Sequence, residues 1–105
     1  MILGPFKARE YWQLRQALDS VFPHTVNLQK GPYLQAEHDT ASAWCRSRMV
    51  GGNGLYFVKQ ENPDDHGLVG GRDAMIDATE HWCSYMRLWS FKDPNIAFEF
   101  KLRFG

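Results

Sequence analysis

Two apolar periodicities follow one another in the last third of the chain, and this change constrains the fold more than any other feature. Over residues 73–89, apolar residues recur at three- and four-residue steps, which predicts one face of an amphipathic helix. Over residues 96–104, large apolar residues alternate with small or charged ones, which predicts a strand solvated on one face. Packing this strand on this helix would remove much apolar surface from water. We therefore expect these two elements to organise the core.

The rest of the chain completes that core with shorter elements. Apolar stripes and turn residues predict a helix that begins near Pro5 and ends before Pro23, strands at 24–30 and 33–37 that pair as a hairpin, and a helix from Asp39 or Thr40 to Met49. The apolar run at 55–58 predicts a central strand, and Leu68 with Val69 a short edge strand. The order α-β-β-α-β-(β)-α-β predicts one α+β domain over residues 1–105, a mainly antiparallel sheet of four to five strands with three helices packed on it.

Charge is balanced overall but unevenly distributed. The 105 residues have a formal net charge of zero, so no global field recruits nucleic acid or an anionic membrane. Residues 61–80 carry one Lys/Arg against six Asp/Glu, a net charge of −5. An acidic surface of this kind steers a basic protein partner. The predicted partner-binding residues are Glu61, Asp64, Asp65, Arg72, Asp73, Asp77 and Glu80.

Residues that could perform chemistry are present but are not arranged for it. Cys45 and Cys83 each follow a tryptophan in a helical pattern, which predicts buried, inert thiols, with a disulfide between them as the alternative. The four histidines do not have the spacing of a zinc site. The glycines of residues 67–71 lack the spacing of a phosphate loop and predict a turn before a helix cap. We expect a non-enzymatic protein with no cofactor, no metal site and no catalytic residues.

The N-terminal residues lack the basic and apolar regions of a signal peptide, and no window reaches membrane-spanning length. Only two cysteines are present, a usage typical of reducing compartments. We therefore expect a cytoplasmic protein that does not insert into a membrane.

Three other functions stay open. A single-stranded nucleic-acid binder would use Trp44, Arg46 and Arg48 together with Lys101 and Arg103 on the solvated face of the last strand. A small-ligand binder or enzyme would use a pocket between helices and sheet, lined by Trp44, Trp82, Tyr56 and a histidine. A homodimer would form if an exposed, ring-rich strand edge paired with its twin across a two-fold axis.

One resemblance covers residues 33–86. Ala43-Trp44 in a short helix, a glycine turn, the strand Gly54-Leu55-Tyr56-Phe57, and the segment Asp73-Ala74-Met75-Ile76-Asp77-Ala78 at the start of a helix resemble small phage- and prophage-encoded α/β accessory proteins. The resemblance carries no functional residue, but it implies a mobile-element protein that modulates a host or phage component. The missing catalytic set, the neutral total charge, the many aromatic residues and the acidic segment favour a non-enzymatic protein-binding module, and the context that the resemblance implies makes it an inhibitor or accessory factor.

Overall fold

The computed structural model describes residues 1–28, 35–60 and 67–105. In chain order the elements are β1 (Ile2–Phe6), a 3-10 turn (Ala8–Glu10), α1 (Tyr11–Val21), β2 (His24–Asn27), α2 (Gln35–Arg48), β3 (Leu55–Lys59), β4 (Arg72–Asp77), β5 (Trp82–Tyr85), β6 (Leu88–Phe91) and α3 (Pro94–Phe104). The fold is therefore α+β with three α-helices in the described ranges, as predicted.

The strands form two sheets instead of the single sheet of four to five strands that we expected. Sheet A has the strand order β1-β4-β3 and sheet B the order β2-β6-β5, and all strand pairs within them are antiparallel. The prediction of three helices and a mainly antiparallel arrangement is confirmed, whereas the prediction of one continuous sheet is wrong.

The predicted helix over residues 73–89 is wrong, because this segment forms β4, β5 and β6. Trp82, Cys83 and Ser84 are all buried, since sheet B is covered on both faces. A strand buried on both faces shows no alternation of apolar and polar residues. Met86 and Arg87 join β5 to β6 in a two-residue turn, with Met86 at a positive φ of 56°. Short strands and tight turns thus place apolar residues at spacings that match a helix.

The predicted strand over residues 96–104 is also wrong, because it is helix α3. Asp93 caps this helix, its side chain accepting a hydrogen bond from the backbone N–H of Asn95 at 2.8 Å, and Pro94 occupies the first turn. The buried side of α3 carries Ala97 and Phe100. Within the alternating series, Ile96, Phe100 and Phe104 are four residues apart, so they also fall on one side of a helix. The other large residues, Phe98 and Leu102, then lie on its outer side.

The elements of the first half are closer to expectation. Helix α1 and helix α2 are confirmed, although α2 begins at Gln35 and Pro5 belongs to strand β1. The predicted hairpin of strands 24–30 and 33–37 is wrong in the residues that the structure describes, because β2 pairs with β6 and residues 35–37 are helical. Residues 29–34 lie outside the described ranges. Strand β3 is confirmed as a strand, but it lies at an edge of sheet A. The predicted short edge strand at Leu68 and Val69 is wrong, because Val69 makes only an isolated bridge to Arg72.

Two hydrophobic clusters lie on opposite faces of sheet B. Helices α2 and α3 cover one face, where Trp82, Trp89 and Phe91 pack with Cys45 and Phe100. The second cluster fills the space between sheet B and sheet A, with α1 inserted, and its buried members are Leu14, Leu18, Phe22, Leu55, Ala74, Ile76 and Cys83. The layers therefore run from α2 and α3 through sheet B and α1 to sheet A.

Asn53 joins the two sheets where β3 and β5 begin to diverge. Its side-chain oxygen accepts hydrogen bonds from the backbone N–H groups of Leu55 (2.9 Å) and Ser84 (3.0 Å), and its Nδ2 donates to the Ser84 carbonyl oxygen (3.3 Å) and hydroxyl (3.1 Å). The amide of this side chain replaces a peptide group of a neighbouring strand, because it offers a donor and an acceptor to the free edge of β5.

The glycine after Asn53 completes this junction. The backbone N–H of Gly54 donates to the Trp82 carbonyl oxygen at 2.8 Å, and its carbonyl accepts from the N–H of Asp77 at 2.7 Å. A Cβ atom at this position would lie 2.6 Å from Cζ of Phe22, so only glycine lets the end of α1 approach the junction.

We predict that Asn53→Asp lowers the free energy of unfolding by about 2 kcal/mol, because a carboxylate cannot donate to Ser84 and leaves its carbonyl group without this partner. Urea unfolding measures the change. Asn95→Asp is the matched control, since Asn95 is exposed in the first turn of α3, where a carboxylate is compatible with the helix dipole. Equal stability of Asn53→Asp and the wild type would contradict the role given to this amide.

Candidate functional site

Sheet A turns one face toward the core and the other toward solvent. Leu55, Ala74 and Ile76 belong to the core between the sheets. Residues that alternate with them point the other way, and the register Tyr56↔Met75, Val58↔Asp73 and Ile2↔Asp77 places these side chains on one face. We call this the open face; its apolar members are Ile2, Tyr56, Val58 and Met75.

The open face is apolar where a solvated sheet face is ordinarily polar. The residues Tyr56 and Val58 are each 38% exposed and Ile2 is 48% exposed, while Met75 is half-buried between the neighbouring strands. A cluster of apolar side chains left in water on a small domain is typical of an interaction surface. The continuous run of apolar residues in β3 supplies this surface, because its alternate members cannot all face the core.

Asp73 lies on the same side of β4 but is only 4% exposed. One carboxylate oxygen pairs with Nζ of Lys7 at 3.1 Å, which ties the segment after β1 to β4. The other oxygen, Oδ1, has no hydrogen-bond partner within the described ranges. Removing Lys7 would leave an uncompensated buried charge, so this pair is essential to the local structure.

Two further acidic residues lie at the end of β4. Asp77 accepts hydrogen bonds from the hydroxyl and the backbone N–H of Thr79 at 2.6 and 3.0 Å, and these bonds lower the pKa of Asp77. Glu80 accepts a hydrogen bond from the backbone N–H of Gly52 at 3.0 Å. The lowered pKa keeps Asp77 ionised, so the open face has an acidic side chain at this end.

The predicted acidic surface is only partly described. Glu61, Asp64 and Asp65 lie outside the described residues. Arg72, Asp73 and Asp77 all belong to β4, but alternation points Arg72 to the opposite side from the other two. Asp73 is buried against Lys7, Asp77 shares the open face with Ile2, and the Glu80 carboxylate is bonded to Gly52 in the segment after α2. The residues that sequence reasoning missed are the apolar ones, and the unbroken run at 55–58 was the signal for them.

His38 and Ser84 come together between α2 and sheet B. The His38 Nε2 atom lies 3.5 Å from the Ser84 hydroxyl, its Nδ1 lies 3.5 Å from the Ser42 hydroxyl, and its ring packs 5.1 Å from that of Trp89. The Ser84 hydroxyl also accepts a hydrogen bond from Asn53, and Ser84 is buried. Through His38 and Ser84 the cluster connects α2 to Asn53 at the junction between the sheets, which is a structural role.

The two cysteines are free and buried, as predicted. Burial raises the pKa of both Cys45 and Cys83 to about 12. Because the thiolate is the nucleophile, both thiols are unreactive in the folded protein. The alternative of a Cys45–Cys83 disulfide is wrong.

The candidate nucleic-acid residues occupy two helices, not a helix and a strand. Trp44 packs against the rings of Phe100 and Phe104 at 5.7 and 5.9 Å. Arg48 lies over the Trp44 ring and forms an ion pair with Glu99. Arg46 lies two residues from both Trp44 and Arg48 in the sequence, so its side chain points to another side of α2. Lys101 and Arg103 are exposed on α3, so the predicted strand face is wrong.

The residues of the predicted ligand pocket are dispersed. Trp82 is fully buried in sheet B, Tyr56 lies on the open face of sheet A, and Trp44 packs on α3. They cannot line one cavity. Within residues 1–28, 35–60 and 67–105, no group of three or more His, Cys, Asp or Glu side chains could hold a metal ion.

No protein-family model, curated protein or solved structure matches this chain. In the part that the structure describes, no helix is long and apolar enough to cross a membrane.

We predict that a thiol reagent at pH 8 labels neither cysteine of the folded protein, because both thiols are buried and ionise only near pH 12. Absorbance after addition of an aromatic disulfide reagent measures this, and two thiols should react in guanidinium. Ser47→Cys, which places a thiol at an exposed position of α2, should add one thiol that reacts at once. Rapid labelling of the folded wild type would contradict the assignment.

Proposed function

We propose that the protein is a non-enzymatic protein-binding module whose contact surface is the open face of sheet A. The observation that carries this proposal is the exposure of Tyr56 and Val58 beside Ile2 and Met75 on the outer face of sheet A. Burying such a surface against a partner contributes roughly 25 cal/mol per Å² of apolar area removed from water.

The shape of this surface suits a protein better than a small molecule. Four apolar side chains from three adjacent strands form a broad patch, with Met75 on the central strand β4 and the ring of Tyr56 on the edge strand β3. Aromatic residues are frequent anchors of protein interfaces. Its rigidity comes from the β1-β4-β3 ladders, so little conformational entropy is lost when a partner docks.

Charge restricts the partner further. Asp77 at the end of β4 is ionised beside the open face, Asp73 is neutralised by Lys7, and the sequence of segment 61–80 has a net charge of −5. A partner with an apolar centre and a rim of Lys or Arg would be steered onto this face. This agrees with the basic protein partner expected from the sequence, while its contact surface differs by including apolar residues of β1 and β3.

The wider role proposed here is that of an inhibitor or accessory factor that modulates another protein. This role is supported by the part of the resemblance to phage-encoded accessory proteins that covers the helix, the glycine turn and the strand of residues 43–57, since Asp73 to Asp77 belong to strand β4 and not to the start of a helix. The partner would then be a host or phage component. The nucleic-acid alternative has weaker support, since Arg48 is paired with Glu99 and Trp44 is half-buried.

The test is capture from a lysate by the immobilised protein, followed by titration of each captured protein in purified form. Tyr56→Lys and Val58→Lys together should weaken binding at least tenfold, which corresponds to about 1.4 kcal/mol, because they remove apolar contact and place positive charge against a basic partner. Tyr56→Thr with Val58→Thr is the milder variant, since threonine keeps strand propensity.

Trp12→Lys with Val50→Lys is the matched control, because both residues are exposed apolar side chains outside sheet A and the charge change is the same. It should bind the captured protein like the wild type. If the open-face variants fold and bind with unchanged affinity, the open face is not the contact surface. Circular dichroism and melting temperature establish that each variant is folded.

A further inference from the structure

The junction between the two sheets contains a chemically labile dipeptide. Asn53 is followed by Gly54, and glycine obstructs attack of its own backbone nitrogen on the preceding side-chain amide least, because it has no Cβ and few restrictions on φ and ψ. The fold requires both residues. Asn53 supplies the amide that bonds to Ser84, and a Cβ atom at position 54 would lie 2.6 Å from Cζ of Phe22. The residues that build the junction are therefore also the residues that make it reactive.

The reaction of such a dipeptide is deamidation. Hydroxide removes the proton of the Gly54 backbone N–H, and this nitrogen bonds to Cγ of Asn53. The bond between Cγ and Nδ2 then breaks, and Nδ2 takes up a proton from water and leaves as ammonia, which regenerates the hydroxide. Water opens the resulting succinimide ring at either of its two carbonyl carbons, and the product is aspartate or isoaspartate. No oxidant or reductant takes part.

The folded structure restrains both reacting groups. The backbone N–H of Gly54 is buried and donates to the Trp82 carbonyl oxygen at 2.8 Å, so removal of its proton breaks this bond. The Asn53 amide makes four hydrogen bonds, to the N–H of Leu55 and to the N–H, carbonyl and hydroxyl of Ser84. Attack converts Cγ from a planar to a tetrahedral carbon, which does not fit these four bonds.

We propose that Asn53-Gly54 is a deamidation site that the junction protects, so that each opening of the junction carries a risk of irreversible conversion. Local openings of a native protein occur without global unfolding, and only opened molecules react. Neither product rebuilds the junction as it was. Aspartate has lost the donor to Ser84, and isoaspartate adds a carbon atom to the main chain just before β3, which displaces this strand from its register with β4.

The chain contains its own reference for this reaction. Trypsin releases residues 49–59, in which Asn53 is the only side-chain amide, and residues 93–101, in which Asn95 is the only one. Asn95 is exposed, but the β-branched side chain of Ile96 obstructs the same ring closure. Exposure favours reaction at Asn95, whereas the chemistry of the dipeptide favours reaction at Asn53. The two tryptic peptides therefore separate these effects.

Mass spectrometry of these peptides after incubation of the full chain at pH 8 tests the proposal. In guanidinium that unfolds the chain, residues 49–59 should convert from amide to carboxyl several times faster than residues 93–101. In the folded chain, conversion at Asn53 should be slower than in guanidinium by about a hundredfold or more, because opened molecules are rare. At intermediate guanidinium concentrations, the rate at Asn53 should follow the opened fraction.

Three variants refine this test. Phe22→Leu shortens the ring beside Gly54 and should raise the rate at Asn53 in the folded chain by the factor by which it raises the opened fraction. Trp12→Leu changes an exposed ring outside the junction and should convert like the wild type. Asn53→Gln keeps an amide, but its longer side chain closes a six-membered ring less readily, so residues 49–59 should stay unconverted in guanidinium.

The consequence for the fold is measured after dilution from guanidinium. A chain aged at pH 8 should refold to a lower unfolding midpoint than a chain kept for the same time at pH 5, where the backbone nitrogen is not deprotonated. Equal rates at Asn53 in the folded and unfolded chain, no conversion of residues 49–59 in guanidinium, or equal midpoints of the two refolded chains would each overturn the proposal. The guanidinium series decides the question if Phe22→Leu does not fold.

Discussion

The side-chain amide of Asn53 is the interaction on which the arrangement of the two sheets depends. At the point where β3 leaves β5, the N–H and carbonyl groups of Ser84 would have no strand to pair with, and Asn53 pairs with both. Beyond this point the sheets separate, and Leu14 and Leu18 of α1 pack between them. The separation turns one face of sheet A away from the core, so the open face is a consequence of the same junction.

How much of the fold is predictable depends on how many faces of an element are buried. The helices α1 and α2 each have one buried side, and the sequence predicts both because a single apolar stripe repeats at the helical period. Strands β5 and β6 lie close together in the chain and belong to sheet B, which is covered on both faces. Their apolar residues therefore carry no alternation, and tertiary packing, not local period, decides their conformation.

Helix α3 shows the opposite difficulty. Its alternating pattern predicts a strand, yet Asp93 and Pro94 form a helix start that local sequence rules recognise. The pattern was ambiguous because Phe98 and Leu102 are apolar although they face solvent. The apolar residues that complete the misleading alternation are thus the ones that stay exposed on the outer side of α3.

The candidate site was predictable in its charge but not in its position. Net charge along the chain identifies the acidic segment, of which Asp77 shares the open face. Burial of Asp73 against Lys7 required a contact between residues 66 positions apart, which no local pattern indicates. Likewise, the exposure of Tyr56 follows only from the position of β3 at a sheet edge. Local sequence determines which side chains are available, and the topology determines which of them reach solvent.

Contact through the open face of sheet A is tested most directly by amide chemical shifts followed while a captured protein is added. Two-dimensional ¹H–¹⁵N spectra of the wild-type chain should show shifts for Tyr56, Val58 and Met75 in sheet A. Leu18, which is buried, and Trp12, which is exposed outside sheet A, should not shift. Changes confined to residues outside sheet A, or no change over the whole titration, would contradict the assignment of the open face as the contact surface.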